Sequence, residues 1–563
     1  MTHGKIKVFA AGCALLALAA PVLAESDPEL SAKHVAAAEA AAGSDLTNVR
    51  NNQGAPAVAT TVAGQVQAVD RLGMRSYFGI PFAAPPVGNL RWMPPAPPQS
   101  WAAPLAKTQS NAPCLQTGAT DPLRLPNGTE DCLYLDVHAP ATGEGPFPVM
   151  VWIHGGAFSI GGTITYADPS PLVSKGVIVV NIAYRMGAMG FLGHPSLRAA
   201  DGTVGNYGIM DQQAALRWVQ DNIAAFGGDK SNVTIFGESA GGFSVMTHLA
   251  SPLSKGLFAK AIVQSGGYGF DRQLTQAQLE AQSTSIVNSA LAAAGVSCPT
   301  VDAACLRGLS AEVVNNQLAT AFTTANSSPV PSVDGKVLPK SIKATFVAGE
   351  NNKVPLVNGS TQDEWSYFVA SRELVEGPLT AAQYPSYLQT SLGLPPSLAT
   401  VYYPLTDYGT NTAQQPSLAA TAANTDRRFS CPALNLSKRV LSQATPIFMY
   451  EFRDRTAIPS IGRNTISFNQ GAGHTYELQY LFNLRDLETA EHRDLQASMA
   501  RYWTNFARTG NPNNGDPVAT SWPAFTGPTK VLGLDVASAG GIRELATFET
   551  DHKCNTAWTS LTF

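Results

Sequence analysis

The sequence predicts an α/β protein built on a doubly wound, mostly parallel sheet. Three observations carry that reading: near-continuous apolar runs of strand length, helical periods between them, and glycine-rich turns where the runs end. In chain order the runs are PVMVWI (148–153), GVIVVNIAY (176–184), VTIFG (233–237), AKAIVQSG (259–266), VPLVNG (354–359) and PIFMYEF (446–452). A strand covered on both faces has no need to alternate apolar with polar residues, so such runs point to buried parallel strands. Between the second and third, MDQQAALRWVQDNIAAFGG (210–228) brings back Met210, Ala214, Trp218 and Phe226 at multiples of four residues. That spacing keeps one face of a helix, and Gly227-Gly228 ends it. The stretches 270–350 and 370–445 are less regular and are expected to form helical and loop insertions over the sheet.

The chain has 563 residues, of which 44% are hydrophobic and 14% charged, a composition suited to a large core with many loops. Its net charge of −4 and the lack of any basic block exclude a nucleic-acid partner. The first residues place Lys5 and Lys7 before an apolar run that ends in Val22-Leu23-Ala24, the pattern of a secretory signal peptide (1–24) cleaved after Ala24. The run from Val8 to Ala24 is short for a membrane span, so the product is expected to be secreted or periplasmic without a stable anchor. Residues 25–57 read as a weakly ordered leader and 58–563 as a single folded domain. Cleavage removes Cys13 and leaves Cys114, Cys132, Cys298, Cys305, Cys431 and Cys554, an even number that suggests three disulfides in an exported chain. No C-x-x-C or H-E-x-x-H spacing is present, so neither a metal nor another cofactor is expected.

The chemistry gathers around IFGESAGG (235–242). Ser239 lies in a G-x-S-x-G segment between a strand and a helical run, the arrangement of a nucleophile elbow, where a sharp turn lifts the hydroxyl clear of the sheet. WIHGGAF (152–158) follows an earlier strand, and its glycines could aim bare backbone N–H groups at a developing oxyanion. A serine hydroxyl is a poor nucleophile unaided and needs a base, itself oriented by an acid. Downstream of Ser239 stand only His248, His474, His492 and His552. His248 falls in the helix that begins at the elbow, His492 in the charged start of another helical segment, and His552 in the tail. His474, in the glycine-rich NQGAGHTYE after the strand PIFMYEF, is placed as a base should be. Glu364 in NGSTQDEWS directly follows the strand VPLVNG and is the candidate acid, with Asp363 its rival.

FGGDKSNVTIFGESAGG (226–242), EDCLYLDV (130–137), GIPFAAPPVGNLRW (79–92) and YWTNFARTGNPN (502–513) together resemble the type-B carboxylesterase and cholinesterase family. The resemblance runs from about Val58 to the C-terminus. It implies an α/β-hydrolase fold and hydrolysis of small-molecule carboxylic esters through an acyl-enzyme, with Ser239 as nucleophile, Glu364 as acid and His474 as base. It further implies oxyanion donors at the N–H groups of Gly156, Ala157 and Ala240, and a hydrogen bond from Ser265 to the acid. The third oxyanion position is Ala157 where the family often has glycine, and Trp365 follows the acid where glycine is common. The implied disulfides are Cys114–Cys132, Cys298–Cys305 and Cys431–Cys554.

Two details bear on substrate. The segment between Cys114 and Cys132, LQTGATDPLRLPNGTED, holds no aromatic residue that could bind a quaternary ammonium by cation–π attraction, so choline esters gain no advantage. VPSVDG (330–335) resembles the family segment that follows the acyl-pocket phenylalanines, which aligns those positions with Ala325 and Ser327. Small side chains there imply a roomy acyl pocket. Two other readings of the resemblance are a non-catalytic binding module and a lipase acting on long-chain esters. The intact Ser239, Glu364 and His474 argue against the first. The second would need an apolar lid.

Overall fold

The computed structural model describes residues 54–116, 127–270, 272–318 and 329–560. The expected signal peptide, nearly all of the leader, and Ala325 and Ser327 lie outside the described residues. The folded body reaches back to residue 54, before its expected start at 58. Ala55 is fully buried and its N–H bonds Pro140 O at 3.0 Å.

Strands β1 (Val58–Thr60) and β2 (Gln65–Gln67) form a small antiparallel pair. The central sheet takes β3 (Val69–Arg71), β4 (Met74–Pro81), β5 (Tyr134–Pro140), β6 (Phe147–Ile153), β7 (Ile178–Ile182) and β8 (Gly228–Glu238). It is completed by β9 (Lys260–Gln264), β10 (Leu356–Thr361), β11 (Ile447–Phe452), β12 (Val531–Leu534) and β13 (Arg543–Leu545). Its order is β13-β12-β11-β10-β9-β8-β6-β7-β5-β4-β3. The run from β12 to β7 is parallel, and both edges are antiparallel.

All six apolar runs lie in this sheet, and every residue of β6, β7, β9, β10 and β11 is buried. Two large apolar cores flank it, one built on Val151, Ile235 and Val263 and the other on Trp152, Phe236 and Ile262. Alternate residues of each strand thus feed opposite cores, which is what makes the runs continuously apolar.

The expected helix is α1 (Tyr207–Asn222), continued by a 3-10 turn to Phe226 and closed by Gly227 at φ 84°. It is buried well beyond one apolar face. Asp211, Gln212 and Gln213 are also inside, where Asp211 takes both prongs of Arg185 and Gln212 and Gln213 bond Ser244, Ser251 and Ser254. Helix α2 (Ala240–Ala250) starts at the elbow, α3 (Gln276–Ala294) and α4 (Cys431–Leu441) belong to the insertions, and α5 (Ala490–Thr509) covers the second core. Among the described residues no helix is long and apolar enough to cross a membrane. The three disulfides pair Cys114 with Cys132, Cys298 with Cys305 and Cys431 with Cys554.

Candidate active site

The site gathers at the C-terminal ends of β6, β8, β10 and β11, where a parallel sheet leaves its crevice. Ser239 follows β8 directly, at φ 55° and ψ −119°, a strained conformation for a residue with a side chain. Close approach explains its small neighbours. A Cβ on Gly241 would stand 1.9 Å from Ile153 O, so the helix can fold back on the sheet only with glycine there. The Ser239 hydroxyl makes no hydrogen bond to protein among the described residues.

After β6 the chain turns through Gly156 (φ 106°), Ala157 (φ 55°) and Phe158 (φ 58°). A Cβ at Gly156 would sit 2.0 Å from Ile160 O. Among the described residues no protein acceptor takes the N–H groups of Gly156, Ala157 or Ala240. Ala157 therefore adopts the turn that glycine would favour. Gln116, two residues beyond Cys114, fastens the far end of this loop by accepting from Gly161 N at 2.9 Å and donating to Gly161 O at 3.0 Å. Tyr184 stacks on His154 with ring centroids 4.4 Å apart and donates to its carbonyl at 2.7 Å. Burial lowers the His154 pKa to about 4, so the ring supports the loop as a neutral group.

Glu364 is fully buried. Its Oε1 accepts from Thr361 N at 2.8 Å and its Oε2 meets His474 Nδ1 at 2.5 Å. The other ring nitrogen, Nε2, lies 3.1 Å from Glu238 Oε1, one residue before Ser239. Phe368 and Phe429 pack on the imidazole with centroids at 5.3 and 5.2 Å. Ser239, His474 and the turn from Gly156 to Phe158 share one cavity of about 950 Å³.

Asp363, the rival candidate, spends both carboxylate oxygens on other partners. Arg455 donates to its Oδ2 through Nε and to its Oδ1 through Nη2, both at 2.8 Å, and Ala472 N donates to Oδ2 at 2.9 Å. The Asp363 N–H returns a bond to Ala472 O at 2.9 Å. The backbone carrying Glu364 is thereby stitched to the loop two residues before His474. Trp365 needs no left-handed backbone (φ −78°), and its ring anchors the helical insertion by stacking on Phe368 at 4.3 Å and donating to Tyr387 at 3.1 Å.

The expected bond from Ser265 to the acid is not made. Its Oγ is buried without a partner, and Thr361 N occupies the carboxylate oxygen left free by His474. The other three histidines serve elsewhere. His248 bonds Ser254 and Gln212, His492 bonds Thr456, and His552 lies between Asp426 and Glu451.

Sequence reasoning missed two buried acids near His474, Glu238 and Glu477. Glu238 is pushed well above the ordinary carboxyl range by burial and by the charge of Glu364, and Glu477 likewise by burial and by both acids. Burial and mutual repulsion thus favour the uncharged form of each. Gln264 bridges from Glu477 at 3.2 Å to Trp503 at 3.1 Å. The signal was present in position alone, since Glu238 is the x of the G-x-S turn and Glu477 stands one helical step beyond His474.

The carboxylesterase family pattern matches residues 54–556. The chain belongs to the carboxylesterase family. This esterase is 36% identical over 492 residues to the para-nitrobenzyl esterase of Bacillus subtilis, a match spanning 84% of this chain and 93% of that one. It is 34% identical over 520 residues to the acylcarnitine hydrolase of Mus musculus, spanning 86% and 88% of the two chains. It is also 34% identical over 503 residues to the fumonisin B1 esterase of Sphingopyxis macrogoltabida, spanning 86% and 87%. It is accordingly a carboxylic ester hydrolase with an α/β-hydrolase fold.

Proposed function

We propose that the esterase is exported and hydrolyses esters through an acyl-enzyme on Ser239, with His474 as base, Glu364 as orienting acid, and the N–H groups of Gly156, Ala157 and Ala240 as oxyanion donors. The observation that carries this reading is the short Glu364–His474 contact, with His474 in one cavity with a strained Ser239 and the turn through Gly156 and Ala157. Ser239 Oγ attacks the ester carbonyl carbon while its proton passes to His474 Nε2. The carbonyl oxygen becomes an anion met by the three donors. Collapse breaks the bond to the alcohol oxygen, which takes the proton from His474, and water then repeats the sequence to release the acid. The carboxylate of Glu364 stabilises the imidazolium in each half. Burial and the charge of Glu364 push the Glu238 carboxyl well above the ordinary range, which disfavours a second anion beside His474.

Export rests on the signal peptide over residues 1–24, and three disulfides are compatible with a secreted or periplasmic location. Small residues at Ala325 and Ser327 support a roomy acyl pocket, and relatives named for acylcarnitine, fumonisin B1 and para-nitrobenzyl substrates support a broad ester preference. The purified protein is expected to hydrolyse p-nitrophenyl butyrate and benzoate about as well as acetate, and acetylthiocholine no better. Refusal of the bulky esters, or acetylthiocholine as the best substrate, would overturn the pocket assignment. Rates that rise steeply only with long-chain esters presented as emulsions would favour a lipase instead.

The stitch between Asp363 and Ala472 carries a further expectation. Asp363→Ala removes an acceptor for Ala472 N and frees Arg455, so the loop bearing His474 loses its register with Glu364. A misplacement of about 1 Å at a catalytic group costs on the order of 10² in rate. Steady-state kinetics are expected to show that loss in kcat with little change in KM. A change confined to KM would assign the stitch to substrate binding.

A further inference from the structure

We propose that the outer wall of the reaction cavity is a cationic subsite, centred on Arg485 with Arg71 beside it, that binds a carboxylate carried by the substrate at a distance from its ester bond. This deepens the ester-hydrolase reading and rests on Ser239 acting in the same cavity.

The cavity of about 950 Å³ runs from Ser239 and His474 to a wall that includes Arg71, Arg485 and Arg493. Arg485 is exposed at the rim, yet among the described residues it has no hydrogen bond and no ion pair. Desolvation draws its pKa down, and the one group that raises it is the phenol of Tyr476.

Arg71 is similarly under-compensated. Its Nη2 donates to Ala167 O at 2.5 Å and its guanidinium lies over Phe78 at 4.7 Å, but Nε is buried with no acceptor. Desolvation outweighs the nearby charges of Asp168 and Asp136 and lowers its pKa too. Arg493 adds a third positive charge and spends one donor on Leu487 O.

The acids on the same wall offset these charges only in part. Asp168 accepts from Ser170 N and from Asn483, both neutral donors, and keeps a charge that acts on Arg71. Asp486 has a partner of its own. Glu238, deep in the cavity, has its carboxyl pushed well above the ordinary range by burial and by the charge of Glu364. What remains is a net positive rim over an apolar approach through Phe368, Phe429 and Phe482. A planar guanidinium fork matches a carboxylate through two parallel N–H···O bonds, which favours an organic acid over a simple neutral ester.

The test uses purified protein and pairs of p-nitrophenyl esters equal in carbon count: the monoesters of glutaric, suberic and sebacic acids, each against the ester of the matching monoacid. A second arm places the carboxylate on the alcohol side, as 4-(butyryloxy)phenylacetate against 4-methylphenyl butyrate. For at least one pair the ratio of kcat/KM, anionic over neutral, is expected to exceed one and to fall about tenfold in Arg485→Gln, the loss expected for one hydrogen bond to a charged group. Arg485→Lys should restore part of the ratio, Arg71→Gln should lower it further in combination, and added salt should reduce it in wild type. Ratios unchanged by Arg485→Gln and by the double variant, in both arms, would overturn the subsite. Failure of the ester reading is separable, because the neutral esters would then be left intact by wild type or be cleaved undiminished by Ser239→Ala.

Discussion

Ser239→Ala is expected to lower kcat on p-nitrophenyl butyrate by about 10⁶ while leaving the protein folded, the loss seen when a serine hydrolase is stripped of its nucleophile. Two features make the stability side of that expectation specific. The Ser239 hydroxyl has no described protein partner, so its removal strands no buried donor or acceptor. The strain at φ 55° belongs to the backbone and is kept in place by Ser239 N bonding Gln264 O at 3.0 Å and by the Gly241–Ile153 contact, neither of which involves the side chain. Turnover of the variant and of wild type, thermal unfolding of both, and peptide mapping after a phosphonate ester would decide it. Undiminished turnover, or a label on another serine, would place the nucleophile elsewhere.

The parts of the fold legible in the sequence are those where one physical demand acts alone. A strand buried on both faces must be apolar throughout, and all six such runs are strands in the sheet. The edges were not legible: β3, β12 and β13 are only three or four residues long, and β4 and β5, though eight and seven long, carry polar residues such as Arg75, Asp136 and His138. Helix α1 was legible in period but not in environment. Its inward Asp211, Gln212 and Gln213 are tolerated because Arg185, His248 and three serines far along the chain meet them. Long-range partners also explain two motifs that looked independent. Arg91 in GNLRW and Glu130 in EDCLYLDV form a bidentate ion pair with both contacts at 2.7 Å, tethering the first disulfide loop to the segment before it. At the site, spacing brought out Ser239, Glu364 and His474 but could not decide between Asp363 and Glu364. That choice depends on Arg455, which is 92 residues away from Asp363.

His552→Ala is expected to destabilise the protein by about 3–5 kcal/mol near neutral pH, the range for breaking a buried ion pair by removing one partner. His552 Nδ1 lies 2.6 Å from Asp426 Oδ1, and Nε2 contacts Glu451, whose second oxygen pairs with Arg453. Tyr403 donates to the other oxygen of Asp426 at 2.8 Å and receives Trp558 Nε1 at 2.6 Å, so the cluster ties the tail to the insertion and to β11. Burial alone would lower the pKa of the imidazole, but Glu451 and Asp426 outweigh it and hold the folded value at about 10. The imidazole is therefore charged at neutral pH, between Glu451, whose carboxyl it and Arg453 draw down against burial, and Asp426, whose carboxyl burial pushes up. An unfolded histidine titrates near ~6.5, so the folded value is the higher of the two and the stabilisation is complete below ~6.5. It is lost as the pH rises through the folded value. Removing the ring leaves two carboxylates facing each other with no cation between them. The bond between Cys431 and Cys554, two residues beyond His552, still holds the tail, so the deficit should grow when that disulfide is reduced. Denaturant unfolding of variant and wild type from pH 6 to 10 is the measurement. The difference in stability is expected to be largest at the acid end and to shrink toward pH 10, and a difference that is small or constant across that range would show that His552 packs there without carrying charge.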